Sequence, residues 1–173
     1  MKDYKIIIDK MNLIQHPEGG YYRRNWQSLY SGDIKDSTEK VIFPQRRIGS
    51  SIIYLLPSNE VAIWHRVNCD EMWHFYGGSP LMMHILSKSK GLENLILGPD
   101  VLNEQSLQVI VPRLTWFSAE VIDADSYSLC GCTLWPSFSY TDFEIAEQSR
   151  LLDEYPPHSN LIKRIFDKST AGR

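Results

Sequence analysis

The run His65-Arg66-Val67-Asn68-Cys69-Asp70-Glu71-Met72-Trp73-His74-Phe75-Tyr76-Gly77-Gly78 holds the residue types and spacing best suited to chemistry. It reads as a strand, a tight polar turn, a second strand and a glycine turn. A hairpin of this form brings His65 beside Glu71 across the ladder. Side chains alternate faces along a strand, so His65 shares a face with Val67, and Glu71 shares one with Trp73 and Phe75. With both faces directed inward, a histidine and a carboxylate meet among aromatic rings. An imidazole hydrogen-bonded to a carboxylate in an apolar pocket can act as a general base with its tautomer fixed. The competing reading is a satisfied structural pair in a partly wet barrel. His74 is three residues from Glu71 and points to the opposite face.

Other residues could complete a binding wall. Tyr54, Trp73, Phe75 and Phe117 fill a core by default, yet such rings also stack on a sugar or a base. Trp64 and Trp116 read as core or interface. Glu18, Arg23 and Arg24 flank a glycine turn at the presumed mouth. An arginine fork suits a carboxylate or phosphate, and the alternative is a surface ion pair. Arg46-Arg47 reads as a solvated patch that could meet an anionic ligand. No glycine-rich motif precedes a helix, so no phosphate loop is present. The three cysteines, Cys69, Cys130 and Cys132, form no framework and fit a reducing compartment. Cys130 and Cys132 share a strand face and read as small buried residues rather than a soft-metal or redox pair.

The elements that must position these groups are mostly strands. Candidates are Tyr21 to Gln27, Ser50 to Leu56, Val61 to Val67, Glu71 to Tyr76, Leu81 to Ser87, Leu92 to Leu97, Gln108 to Val111, Thr115 to Val121 and Ser126 to Trp135. Turn signals such as Pro57-Ser58-Asn59, Gly77-Gly78-Ser79-Pro80 and Gly98-Pro99-Asp100 separate them, the pattern of an all-β sandwich or barrel. His16-Pro17-Glu18-Gly19-Gly20 is a turn, and Leu29 to Lys40 reads as a polar loop. A short helix is expected from Asp3, as cap, to Met11. Thr141-Asp142-Phe143-Glu144 has the form of a capping box and predicts a helix to about Glu154; a second should run from Asn160 to Phe166. Helices at the ends of an all-β run should cover a rim or sheet face.

With 173 residues, 43% hydrophobic, the chain suits one domain spanning 1–173, with a barrel core at about 20–136 and helices at about 141–166. A net charge of -3 gives no electrostatic reason to seek nucleic acid or an anionic membrane. No apolar run is long enough to span a bilayer and no secretory signal opens the chain, so a cytoplasmic location is expected.

The His65–Gly78 run resembles the first motif of the cupin superfamily, in which two histidines one residue apart precede a glutamate and then a glycine. His65, Glu71 and Gly78 match, while Val67 stands at the second histidine. In the second motif Pro112 fits, but Leu114 replaces a glycine and Phe117 a histidine. Four further segments resemble a branch of cupins grouped as a domain of unknown function and compared with sugar-nucleotide epimerases. They are His16-Pro17-Glu18-Gly19-Gly20-Tyr21-Tyr22-Arg23, Ser51-Ile52-Ile53-Tyr54-Leu55-Leu56, Asp70 to Tyr76 and Gly131-Cys132-Thr133-Leu134-Trp135-Pro136-Ser137-Phe138, within a likeness reaching from about residue 12 to 157.

The resemblance implies a cupin double-stranded β-helix, or jelly-roll barrel, assembled as a homodimer. The family's metal site draws on three histidines and a glutamate. Only His65 and Glu71 remain here, too few fixed donors for a first-row ion, so no metal and no cofactor is expected. The likeness to a 3,5-epimerase that works with a His–acid pair implies proton abstraction beside a carbonyl. The expected activity is therefore binding, and isomerising or epimerising, a small polar metabolite such as a sugar-nucleotide-like compound. His65 is the expected base and Glu71 its orienting partner; Glu18, Arg23, Tyr54, Trp73, Phe75 and Phe117 form the wall. The alternatives are a non-catalytic ligand-binding or sensor module and, third, a metal-dependent dioxygenase.

Overall fold

The computed structural model describes residues 4–171. Two six-stranded sheets face each other around the barrel interior. The first runs β1 (Ile14–Gln15), β2 (Tyr21–Gln27), β5 (Ser50–Pro57), β13 (Tyr127–Trp135), β7 (Asp70–Gly78), β11 (Gln108–Val111). The second runs β10 (Gln105–Ser106), β9 (Gly91–Leu97), β8 (Leu81–Ser87), β12 (Trp116–Val121), β6 (Val61–Val67), β14 (Phe143–Ile145). All neighbours pair antiparallel except β9 and β10. The expected jelly-roll barrel with short helices at its ends is the observed fold, and the expected strands recur within about two residues at their ends.

The pairing corrects one inference. β6 and β7 are not partners in a hairpin ladder: β6 pairs with β12 and β14, and β7 with β13 and β11. The Asn68-Cys69 turn carries the chain from one sheet to the other. His65 and Glu71 therefore approach across the barrel rather than along a ladder. Polar turn residues signal a reversal, but not whether the chain returns in its own sheet or in the facing one.

The predicted loop Leu29 to Lys40 is also corrected. β3 (Ser31–Lys35) and β4 (Val41–Arg47) form a separate two-stranded hairpin. Its order comes from side-chain to backbone bonds: Asp36 accepts from the N–H groups of Thr38 and Lys40, and Asp33 from that of Gln45. Arg46 and Arg47 are not a free patch; Arg46 pairs with Asp142 and donates to the Ser137 carbonyl, and Arg47 donates to that of Ser28.

At the N-terminus α1 spans Tyr4–Met11, and the expected cap Asp3 lies outside the described residues. The capping box does not cap an α-helix. Residues Tyr140–Asp142 make a 3-10 turn capped by Ser139, β14 follows, and α2 (Gln148–Glu154) begins later. Arg66 and Arg150 hold the Glu144 carboxylate at 2.6 Å each, and Phe143 packs against the barrel core, so Glu144 does not fold back on Thr141. The last helix, α3 (Ser159–Ala171), is longer than expected.

Alternation along β6 joins two cores. Ala62 and Val67 face the barrel interior with Leu56, Trp73, Met83 and Phe117. Val61 and Trp64 face outward, where Leu86 and Trp116 meet Leu151, Ile162 and Ile165 of the C-terminal helices. These helices cover the outer face of the second sheet, as expected. Among the described residues no helix is long and apolar enough to cross a membrane.

Candidate functional site

The site is assembled by a turn and two strands from different sheets. His16-Pro17-Glu18-Gly19-Gly20 lies against β6, where the Ile63 N–H donates to the Glu18 carbonyl at 2.9 Å. Gly19 makes that approach possible. Its φ is +111°, and a Cβ there would sit 2.2 Å from the Val61 carbonyl oxygen. The Tyr54 hydroxyl donates to the Gly19 carbonyl at 2.8 Å from the barrel side. Held this way, the Glu18 side chain drops inward and meets His65.

This corrects the expected partner of His65. The carboxylate hydrogen-bonded to His65 is Glu18, at 2.9 Å from Nε2, and not Glu71. The other ring nitrogen, Nδ1, lies 2.6 Å from the Ile63 carbonyl oxygen. The Phe117 ring packs on the imidazole, 4.0 Å between centroids. A second histidine, His16, lies 3.5 Å from the same Glu18 oxygen through Nδ1. Burial holds His16 below its ordinary pKa. For His65, burial works against the charged form, but the Glu18 carboxylate and the bond to it prevail and raise its pKa. The two imidazoles in turn hold Glu18 below the usual carboxylate range despite its burial.

Glu71 faces this pair from the other sheet. It is 7% exposed, and its Oε2 has no hydrogen-bond partner. Burial first, and the Glu18 charge second, push its carboxyl up to about 7, against the opposing pull of His65. Beside it the Cys132 thiol is pushed well above its ordinary range, chiefly by burial, so it is a neutral S–H group. Cys130 is likewise buried and free, pushed up to about 12.

A cavity of about 400 Å³ opens over these groups. His65, Glu71, Glu18 and Cys132 line it with Val67, so the inferred sharing of a face by His65 and Val67 holds. Arg23 and Arg24 border it too, but the register separates them. Arg24 stands opposite Ile52 in the row that includes Tyr22, whereas Arg23 stands opposite Ile53 in the other row. Among the described residues neither has an ion-pair partner. Tyr54, Trp73, Phe75 and Phe117 do not line the cavity. Tyr54, Trp73 and Phe117 are core residues behind it, and Phe75 packs partly buried against that core. They buttress the site rather than form its wall. His74 bonds Thr133 and Gln108, away from the cavity, as its strand position implied.

Sequence reasoning missed His16, Tyr22, Phe138, Tyr140 and Phe143 as cavity residues. The Tyr22 and Tyr140 hydroxyls lie 3.2 Å apart at its exposed edge. Only the doubled glycine after His16 and Glu18 signalled that this turn presses against other backbone.

The metal set of the resembling family does not fit these residues. Val67 and Phe117 stand where further ligands would, and the His65 Nε2 is engaged by Glu18. Among the described residues no three His, Cys, Asp or Glu side chains form a group able to hold a metal ion.

A crystal structure of a protein from Shewanella oneidensis is similar along almost the whole chain. Identity is 33%, coverage 95% of this chain and 98% of that one, and the TM-score 0.82. A hypothetical protein from Leishmania major gives the same TM-score of 0.82 at 28% identity, covering 92% and 96%. Oxalate decarboxylase from Bacillus subtilis, at 11% identity, TM-score 0.53 and coverage of 87% and 36%, shares the fold alone. No curated protein matches the chain. The family model described as "Cupin superfamily (DUF985)" matches residues 5–146, and with that span, the barrel and the full-length relatives in agreement, this chain belongs to that family.

Proposed function

We propose that the cavity binds a small polar metabolite and isomerises or epimerises it by proton transfer, without a metal. The observation that carries this reading is Glu71: a carboxyl more than nine-tenths buried, with one buried oxygen that has no hydrogen-bond partner, on a residue that lines the same cavity as a His–Glu pair. A structural carboxyl so placed would be costly, because an unsatisfied buried polar group destabilises a fold by about 1–3 kcal/mol. A carboxyl poised near neutrality suits general acid–base work.

The volume of about 400 Å³ is near the low end for ligand pockets and suits a guest of monosaccharide size. Arg24 at the rim suits an anionic substituent on that guest, such as the phosphate of a sugar-nucleotide-like compound. The homodimer belongs to the proposal too. The outward face of the first sheet exposes Trp26, Tyr76, Ile110 and Trp135, whereas the helices are packed on the second sheet. Sedimentation velocity at micromolar concentration tests it.

The test of function is mass spectrometry of the small molecule that co-purifies with native protein, followed by incubation of that molecule with enzyme in D2O. Deuterium entering a carbon position with wild type and not with Glu71→Gln supports the reading. A ligand that binds with no exchange selects the second reading, a non-catalytic sensor. One observation favours that alternative: both ring nitrogens of His65 already have partners.

A further inference from the structure

The partners of His65 bear on which group moves the proton. Nδ1 faces the Ile63 carbonyl oxygen at 2.6 Å and Nε2 faces the Glu18 carboxylate at 2.9 Å. Both are acceptors, and a backbone carbonyl can neither turn over nor give up a proton. A neutral imidazole has one N–H and one lone pair, so it satisfies only one of them; an imidazolium satisfies both. The Phe117 ring, 4.0 Å away between centroids, is a favourable neighbour for a cation. The ring thus has no lone pair free to take a proton from a guest.

Glu71 is in the opposite condition. The groups around it are Glu18 and His65 from across the barrel, Cys132 and Trp73 from its own sheet, His16 behind Glu18, and Arg24 at the rim. Cys132 is a neutral thiol, and Glu18 and His65 are spent on each other. Glu71 alone of the two acids keeps a buried oxygen without a hydrogen-bond partner, and the residue lines the cavity.

We infer that Glu71 gives and takes the proton while His65 stays an imidazolium clamped by Glu18, so that the guest is a carbonyl compound with an acidic C–H beside the carbonyl. This rests on the proposed reading of the cavity as a proton-transfer site. In the step, the C–H bond breaks and its proton passes to the ionised Glu71 carboxylate. The bonding electron pair becomes the C=C of an enolate, and the carbonyl oxygen takes the negative charge. The imidazolium field stabilises that oxygen. The proton then returns from Glu71 to carbon, and no oxidant, reductant or co-reactant is consumed. Below neutrality Glu71 is a neutral acid and donates a hydrogen bond to the carbonyl oxygen, which an ammonium or other cationic guest could not accept. Glu71 is the catalytic residue, and His65 and Glu18 position charge.

The experiment is NMR on the full chain labelled with ¹⁵N and ¹³C, and it needs no ligand. The expected result at pH 7 is a His65 ring with protons on both nitrogens, and a Glu71 carboxyl carbon whose shift titrates with a midpoint of about 7. Loss of that signal in Glu71→Gln assigns it, and backbone-linked assignment of the wild type serves if the variant does not fold. A bare Nε2 on His65 at pH 7, or a Glu71 carboxyl already ionised by about pH 5, overturns the inference. Either result leaves the ligand and D2O tests standing, whereas a guest bound without exchange ends the proposed function with these charge states intact.

Discussion

The chain contains two buried His–Glu pairs of nearly the same length, and their surroundings divide them. His65 meets Glu18 at 2.9 Å inside the barrel, and His84 meets Glu120 at 3.0 Å on the outer face of the second sheet. Arg164 and Lys168 of α3 also hold Glu120; against burial, the hydrogen bonds from Arg164 and His84 and the charges of Arg164 and Lys168 keep its carboxyl well below the usual range. The Nδ1 of His84 meets Asn94, whose amide can turn its oxygen or its nitrogen toward the ring. Both ring nitrogens of His84 and both oxygens of Glu120 have partners, and the cluster's cations come from the helix it fastens. Among the described residues the inner pair has no such cation, and a second, incompletely satisfied acid, Glu71, shares its cavity. A His–Glu pair is therefore not a site in itself. The neighbours left without partners make it one.

The contrast is broken most forcefully by removing the histidines. His65→Ala should leave Glu18 buried and without its main partner, costing about 3–5 kcal/mol in urea unfolding. His84→Ala leaves Glu120 with two cations and should cost about 1 kcal/mol. Equal losses would mean the two pairs do the same work. Gly19→Ala should come next. Its Cβ would collide with the Val61 carbonyl at a left-handed φ, so about 2 kcal/mol of stability is lost and Glu18 is displaced; the His65 ring signals report that displacement.

Glu71→Gln sharpens the contrast through pH. The folded-state pKa of Glu71 is raised from 4.5 to about 7, so the unfolded chain releases this proton first and the fold loses stability as pH rises through that interval. The loss is complete above about pH 7 and is at most about 3 kcal/mol. The variant should therefore melt higher than wild type at pH 8 and match it at pH 4, while exchange of ligand hydrogen falls by about 100-fold or more. Unchanged melting at pH 8 would show that Glu71 is satisfied. The smallest effect expected is at the rim: Arg24→Ala should weaken an anionic ligand roughly tenfold by calorimetry, and Arg23→Ala should leave it almost unchanged.

Much of the barrel was legible because its strands alternate or run apolar between strong turn residues. Val61–Val67, Leu81–Ser87 and Gln108–Val111 fall where periodicity put them. β3 and β4 did not, since β3 is mostly polar, Phe43 is the one buried ring of β4, and the hairpin is tied largely by the side chains of Asp33 and Asp36. Thr141 and Glu144 satisfied a local rule, but Arg66, distant in sequence, claimed the carboxylate. For the site, the motif placed His65 and Glu71 at one cavity correctly. It could not supply Glu18 as the partner, because that contact joins positions 18 and 65 through a turn whose depth depends on a left-handed glycine. The aromatic residues were legible as neighbours of the site but not as its backing, since ring chemistry serves either role.

The two-sided loading of β6 has a practical consequence for trimming the protein. Trp64 is clasped by the C-terminal helices, and the next residue along the backbone is the imidazole of the site. A shortened chain ending near residue 146 would strip the cladding from Trp64 and let the strand shift under His65. The smallest fragment that preserves the cavity therefore extends well past the barrel, to the end of α3.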